Sequence, residues 1–139
     1  MSDPPLVVKE VLFELHSDVD VAVARREVRD WARELELTVL DVTKIVTATS
    51  ELARNTVVHG GGGVMCLQIV RKAGRVGVRV TFTDRGPGIP ALALAMQDGY
   101  TTGRGMGIGL PGAKRLVNEF EMSTTPADGT SVTIVRWKP

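Results

Sequence analysis

The period of the apolar positions changes several times along the chain, and each change predicts an element. From Val7 to Leu15 the pattern is close to alternation, with Val11, Phe13 and Leu15 on one side and Val7-Val8 and Leu12 blurring it; this predicts a first strand. Beyond it, Val21, Ala24, Val28, Trp31, Ala32 and Leu35 recur at helical spacing in a run otherwise full of Arg and Glu, with Ser17 or Asp18 suited to cap the helix. Thr38 can cap a second helix that runs to about His59 and carries the apolar stripe Val42, Ile45, Val46, Thr49, Leu52, Ala53 and Thr56. Period two returns in Val64 to Val70 and in Arg75 to Thr83, where Val76, Val78, Val80 and Phe82 alternate with Gly77, Arg79, Thr81 and Thr83. Lys72 to Gly74 is short enough to join the two as a hairpin.

The segment DRGPGIP from Asp84 to Pro90 is a turn that no regular element could contain. Ala91 to Met96 predicts a short helix, and QDGYTTGRGMGIG from Gln97 to Gly109 a glycine-rich loop. Helical spacing resumes from Leu110 to Phe120, after which Glu121 to Thr125, a PADG turn and Thr130 to Trp137 close the chain as a hairpin. Sequence-adjacent strands that pair antiparallel, with helices needing one sheet face to cover, predict an α/β two-layer sandwich with a mixed, largely antiparallel sheet.

At 139 residues and 15.0 kDa, the chain suits one domain spanning 1–139. Its 17 basic and 16 acidic side chains give a formal charge of +1, so no global field draws it to nucleic acid or to an anionic membrane. The start MSDPPLVVKE lacks the basic and apolar segments of a signal peptide and no apolar run could span a bilayer, which together predict a cytoplasmic protein. Cys66 is the single cysteine and reads as a small buried strand residue. The 15 glycines cluster at 60–63, 86–88, 99–112 and 129, and clustered glycine in a folded domain points to backbone that approaches something.

Candidate chemistry begins in SELARNTVVHGGGG. Glu51, Asn55 and His59 stand at four-residue steps and share a helix face apart from the apolar stripe, a face open to solvent or to a ligand. Gly60 to Gly63 then exceed the single glycine a helix end needs, which suggests close backbone approach or a loose loop. Asp84 ends a strand before Gly86-Pro87-Gly88; alone it would be a turn-initiating residue, but an aspartate there can also accept a hydrogen bond from an exocyclic amine. Gly105-Met106-Gly107-Ile108-Gly109 opens a helix, where unpaired N–H groups and absent side chains admit a phosphate. One nucleotide site accounts for all three pieces. The glycine pattern lacks the strand and ribose-binding acid of a dinucleotide fold, and no P-loop lysine pattern is present. Asn55 offers a neutral oxygen for Mg²⁺, and Glu51, one turn earlier, could accept a proton from an attacking hydroxyl or water.

In order and spacing, SELARN with its following histidine, DRGPGI, DGYTTGRGMGIGLPG and the final Gly129-Thr130 resemble the motifs of the GHKL superfamily, whose ATP-binding Bergerat fold unites gyrase, Hsp90, histidine kinases and MutL. Within it, SELARN and DGYTT…GLPG…KRL…EF resemble the RsbT-type serine/threonine kinases, the stressosome switch proteins related to the anti-sigma factor kinases. The resemblance covers the chain from about Val7 to Trp137. It implies that Glu51 is the catalytic base, Asn55 the Mg²⁺ ligand and Asp84 the adenine anchor. Gly86, Gly88 and Ile89 would shape the wall beside the base; Gly105, Met106, Gly107, Ile108, Gly109 and Leu110 would belong to the lid over the phosphates; Thr130 would add a hydroxyl near Asp84. Arg104 is divided evenly between a γ-phosphate contact and an exposed loop arginine, and His59 reads as a structural helix terminus.

ATP and Mg²⁺ are the cofactors so implied. The implied partners are STAS-domain antagonist or scaffold proteins as substrates and a PP2C-type phosphatase, with no nucleic acid and no membrane. His16 precedes the first helix cap and His59 lies in the nucleotide motif, so neither stands on a dimerisation helix, and the phosphate is expected to go to another protein. An anti-sigma factor that sequesters a sigma subunit is the nearest alternative, and a non-catalytic binding module the next. The row Arg25, Arg26, Arg29 and Arg33 on the first helix is a solvated basic face or an interface.

Overall fold

The computed structural model describes residues 4–84, 110–125 and 129–139. Its elements are β1 (Leu6–Leu15), α1 (Asp18–Glu34), α2 (Val39–Val58), β2 (Gly63–Lys72), β3 (Arg75–Asp84), α3 (Leu110–Arg115), β4 (Glu119–Thr125) and β5 (Gly129–Trp137). The strands form one sheet in the order β1-β2-β3-β5-β4. All four pairings are antiparallel, so the mixed sheet expected from the sequence narrows to a purely antiparallel one among the described residues. The reason lies in β5, which turns back from β4 and inserts between β4 and β3, pairing with both.

One face of the sheet carries the helices. Leu67, Val80, Phe82 and Ile134 pack beneath Val28 of α1, Ile45 and Leu52 of α2, and Leu110 of α3 in a single apolar cluster. Each aliphatic or aromatic side chain so buried contributes roughly 1.5–3 kcal/mol. The opposite face carries the small cluster Val70, Val135 and Trp137, the exposed aliphatics Val7, Leu12 and Val64, and a polar network in which Arg79 donates to Gln68, Gln68 donates to Glu10, and Thr81 bonds Thr133. Cys66 lies half-buried on this second face, and not in the core expected for it. Burial and then its hydrogen bond to Glu10 push the thiol pKa up, which favours the protonated form.

Local chemistry sets the element ends. Ser17 caps α1 by accepting from the Asp20 amide, while the Asp20 carboxylate accepts from the amide of His16. At the other end the Glu36 amide reaches Arg33 O and the Leu37 amide reaches Ala32 O, a Schellman closure that puts Glu36 at φ 61°. Thr38 caps α2 through the Asp41 amide, at 3.1 Å. The β2–β3 hairpin turns on Ala73 (φ 51°) and Gly74 (φ 78°), the pair of positive φ values that tight hairpins need.

The third helix is shorter than its apolar spacing predicts. It stops at Arg115, and Phe120 belongs to β4, opposite Ile134. Two contacts take the backbone away: Arg136 donates to Leu116 O, and Asn118 joins β5 by donating its amide to Val135 O and accepting from the Trp137 amide. Leu116, Val117 and Phe120 still face the core, which is why periodicity alone could not separate the helix end from the strand. The predicted short helix at Ala91–Met96 lies outside the described residues.

Candidate functional site

The C-terminal half of α2 ends against the last residue of β3. Asp84 pairs with Gly63 on β2 and with Thr130 on β5, so the three occupy one end of the sheet. After α2 the chain reverses through glycines: the amides of His59 and Gly60 both donate to Asn55 O, and that of Gly62 donates to Thr56 O. A Cβ on Gly60 would sit 2.4 Å from Asp84 Cγ, and one on Gly63 would sit 2.1 Å from Thr83 O. The glycine surplus is therefore close approach at these two positions, since any side chain would drive α2 away from Asp84.

Along this face Glu51 is exposed and Asn55 half-buried, one turn apart, with Leu52 and Ala53 beneath them in the core. Glu51 makes no hydrogen bond or ion pair among the described residues, so its carboxylate is available to an incoming group. The backbone leaves no slack here: Thr56 Oγ1 donates to Leu52 O at 2.9 Å and its methyl group meets Gly63. Asp84, 9% exposed, is held between strands with its carboxyl against Gly60. A carboxylate in that cradle can accept from an amine edge while excluding water around it. Thr130 lies beside it, and its hydroxyl bonds that of Thr124 at 3.0 Å.

The structure thus brings Glu51, Asn55, Asp84 and Thr130 to one end of the molecule. Leu110, also expected at the site, is 2% exposed and anchors α3 in the core against α2. Gly86, Gly88, Ile89, Arg104, Gly105, Met106, Gly107, Ile108 and Gly109 lie outside the described residues. His59 is the C-cap of α2, half-buried, and its Nε2 finds no partner among the described residues. Sequence reasoning did not single out Thr124, and it placed Thr56 only in the apolar stripe of α2. The alternation of β4 could have placed Thr124 opposite Thr130, but nothing in the sequence announced that Thr56 packs on Gly63.

These residues fit Mg·ATP. Asn55 supplies a neutral oxygen beside the unpaired Glu51 carboxylate, a donor set suited to a hard ion held mainly by phosphates and water.

The family model of the histidine kinase-like ATPase domain matches residues 15–136. The chain belongs to that family. It is 39% identical over 118 residues to the serine/threonine-protein kinase RsbT of Bacillus subtilis (strain 168), covering 85% of this chain and 89% of the other. To the anti-sigma F factor of Thermoanaerobacter sp. (strain X514) it is 28% identical over 120 residues, 82% of each chain. Among solved structures, the RsbU and RsbW domains of Rv1364c from Mycobacterium tuberculosis superpose with a TM-score of 0.61 at 25% identity, covering 99% of this chain and 34% of that one. The catalytic domain of the histidine kinase ThkA superposes at 0.53 with 17% identity over 94% of this chain and 97% of that one, a likeness of fold. The chain is accordingly an RsbT-type protein kinase that uses ATP. No described helix is long and apolar enough to cross a membrane.

Proposed function

We propose that this kinase transfers the γ-phosphate of ATP to serine or threonine hydroxyls of STAS-domain antagonist or scaffold proteins in a cytoplasmic partner-switching module and, once released from them, binds and activates a PP2C-type phosphatase. The observation that carries the reading is the junction of α2 with Asp84, which sets an unpaired carboxylate, a carboxamide and a buried aspartate around one end of the sheet.

The residues divide the work. Asp84 accepts from the exocyclic amine of adenine, with Thr130 adding a hydroxyl beside it; Gly86, Gly88 and Ile89 would supply the wall along the base. Asn55 would hold Mg²⁺, which when bound would neutralise phosphate charge. Backbone N–H groups of Gly105 to Gly109 would cover the phosphates, with the buried Leu110 anchoring the end of that segment, and Arg104 would either reach the γ-phosphate or stand as an exposed loop arginine. Glu51 accepts the proton of the attacking hydroxyl as its oxygen bonds the γ-phosphorus; the bond to the β–γ bridging oxygen breaks and ADP leaves. Positioning supplies most of the acceleration, since the transferred group needs little covalent help.

The likeness to anti-sigma F factors favours a second reading, in which the chain also sequesters a sigma subunit. A purely non-catalytic module is disfavoured by Glu51 and Asn55 standing one turn apart. The deciding experiment is transfer from Mg·[γ-³²P]ATP to STAS-domain proteins of the same organism, with Glu51→Ala as control. Labelling that disappears in the variant supports the kinase assignment. ATP binding with no labelled STAS protein, together with retention of a sigma factor in a pull-down, would replace it by the anti-sigma reading.

A further inference from the structure

The helix-covered face of the sheet ends in a row of side chains that crosses all five strands. Leu15 of β1 stands opposite Gly63 of β2, Gly63 opposite Asp84 of β3, Asp84 opposite Thr130 of β5, and Thr130 opposite Thr124 of β4. Two positions further into the sheet, Phe82, Val132 and Met122 enter or pack on the core cluster, so Asp84, Thr130 and Thr124 project from that same face. Both threonines are half-buried, and their hydroxyls bond each other at 3.0 Å, next to the turn that returns at Gly129 with φ 81°.

A threonine pair across two strands is ordinary sheet chemistry, and Thr81 with Thr133 makes another at 3.1 Å on the opposite face. What distinguishes Thr124 and Thr130 is the carboxylate in the next place of the row. A threonine hydroxyl has one hydrogen to give and two lone pairs to receive with. Asp84 is a charged acceptor, and it draws the hydrogen of Thr130 to its own side more strongly than a neutral hydroxyl can. Thr124 is then the donor of the pair, and the Thr130 hydrogen is turned toward the Asp84 side. An adenine whose exocyclic amine donates to Asp84 presents its ring N1, a bare acceptor, beside that amine. A purine that carries a hydrogen on N1 would meet a donor there instead.

We propose that Thr124 is a positioning residue for base recognition: by donating its hydroxyl hydrogen to Thr130 Oγ1, it fixes Thr130 as a donor to the ring N1 of adenine. The proposal rests on the reading of Asp84 as the adenine anchor and adds to it the group that orients the second polar contact of the base. Thr124 acts only through Thr130, so its removal should be felt only by a nucleotide that has N1.

The test titrates the full chain with Mg·ATP and with Mg·1-deaza-ATP, in which a C–H replaces N1 and the exocyclic amine is kept. Wild type should bind ATP more tightly than the deaza analogue. The isosteric change Thr124→Val should weaken ATP by about fivefold, the size of one neutral hydrogen bond, and leave the analogue's affinity unchanged. Thr124→Ser should restore ATP binding, and Thr81→Val, which breaks the pair on the other face, should alter neither nucleotide. Equal weakening of both nucleotides in Thr124→Val would make the pair a mere support of the β4–β5 hairpin and overturn the proposal, and unchanged ATP affinity in that variant would do the same. A wild type that binds both nucleotides alike would also overturn it, because N1 is then not read. Failure of the underlying reading looks different: Asp84→Asn with unchanged ATP affinity would take adenine away from this end of the sheet altogether.

Discussion

The two ends of α2 hold acidic side chains in opposite conditions. At the N-terminal end Asp41 is 6% exposed, sits in the first turn behind its Thr38 cap and accepts from Arg136, which also donates to Leu116 O and so ties α2, β5 and the end of α3 together. Toward the C-terminal end Glu51 is exposed and pairs with nothing among the described residues. The hydrogen bond from Arg136 is the main reason the Asp41 pKa falls below its ordinary value, outweighing the burial that pushes the other way. One acid has spent its charge on the fold; the other has kept it. A helix that is capped, paired and buried at one end can hold a reactive group still at the other without that group contributing to stability.

Substitutions can break that contrast, beginning with the largest effect. Glu51→Gln should lower phosphoryl transfer by roughly 10²–10⁴-fold, the usual range for a general base, with chemical denaturation unchanged and ATP binding intact. A large loss of stability in this variant would place Glu51 among the structural acids. Asp41→Ala should do the reverse, costing about 3 kcal/mol because it leaves a largely buried guanidinium without its carboxylate, with the nucleotide end still intact in whatever fraction folds.

Titration sharpens the same point. The carboxyl of Asp41 has a lowered pKa in the folded chain, so its contribution is complete above the unfolded carboxylate value of about 4 and is lost as pH falls through the folded value. Wild-type stability should therefore drop on acidification below that range. Asp41→Asn should flatten that limb in thermal melts recorded against pH, and an unchanged limb would remove Arg136–Asp41 from the account.

Smaller effects test the supporting backbone. Gly60→Ala presses a methyl group into Asp84 and should cost about 1–3 kcal/mol while weakening ATP binding, because helix and aspartate must part. Glu36→Gly relieves a non-glycine residue at φ 61° and should raise stability by about 1 kcal/mol with transfer unaltered.

Much of this was legible in advance. Both long helices begin at the caps the sequence offers, Ser17 and Thr38, and the β2–β3 hairpin turns at the predicted place, because caps and tight turns are decided by a few neighbouring residues. Glu51, Asn55, Asp84 and Thr130 could be chosen from motif and helix periodicity, and the fold does bring them to one end. The early stop of α3 was not legible, since it depends on Arg136 and Val135, about twenty residues further on. Nor was the paired state of Asp41, whose partner lies 95 positions away. Local spacing carries no record of such long-range contacts.

One detail of the sheet bears on a hazard of another kind. β1 is an edge strand, and Leu6, Val8 and Leu12 leave it with an oily outer margin that invites pairing with a neighbour's strand. Its ladder slips at Val8, and the next inward position opposite Ile69 is filled by Lys9, whose ammonium lies 4.1 Å from the centroid of the Trp31 ring and bonds Glu34. A second sheet stacking in register on that edge would meet a kinked backbone and would have to strip this lysine of its partners. Insurance against fibrils is thus written into the first ten residues, independently of anything the chain does with a nucleotide.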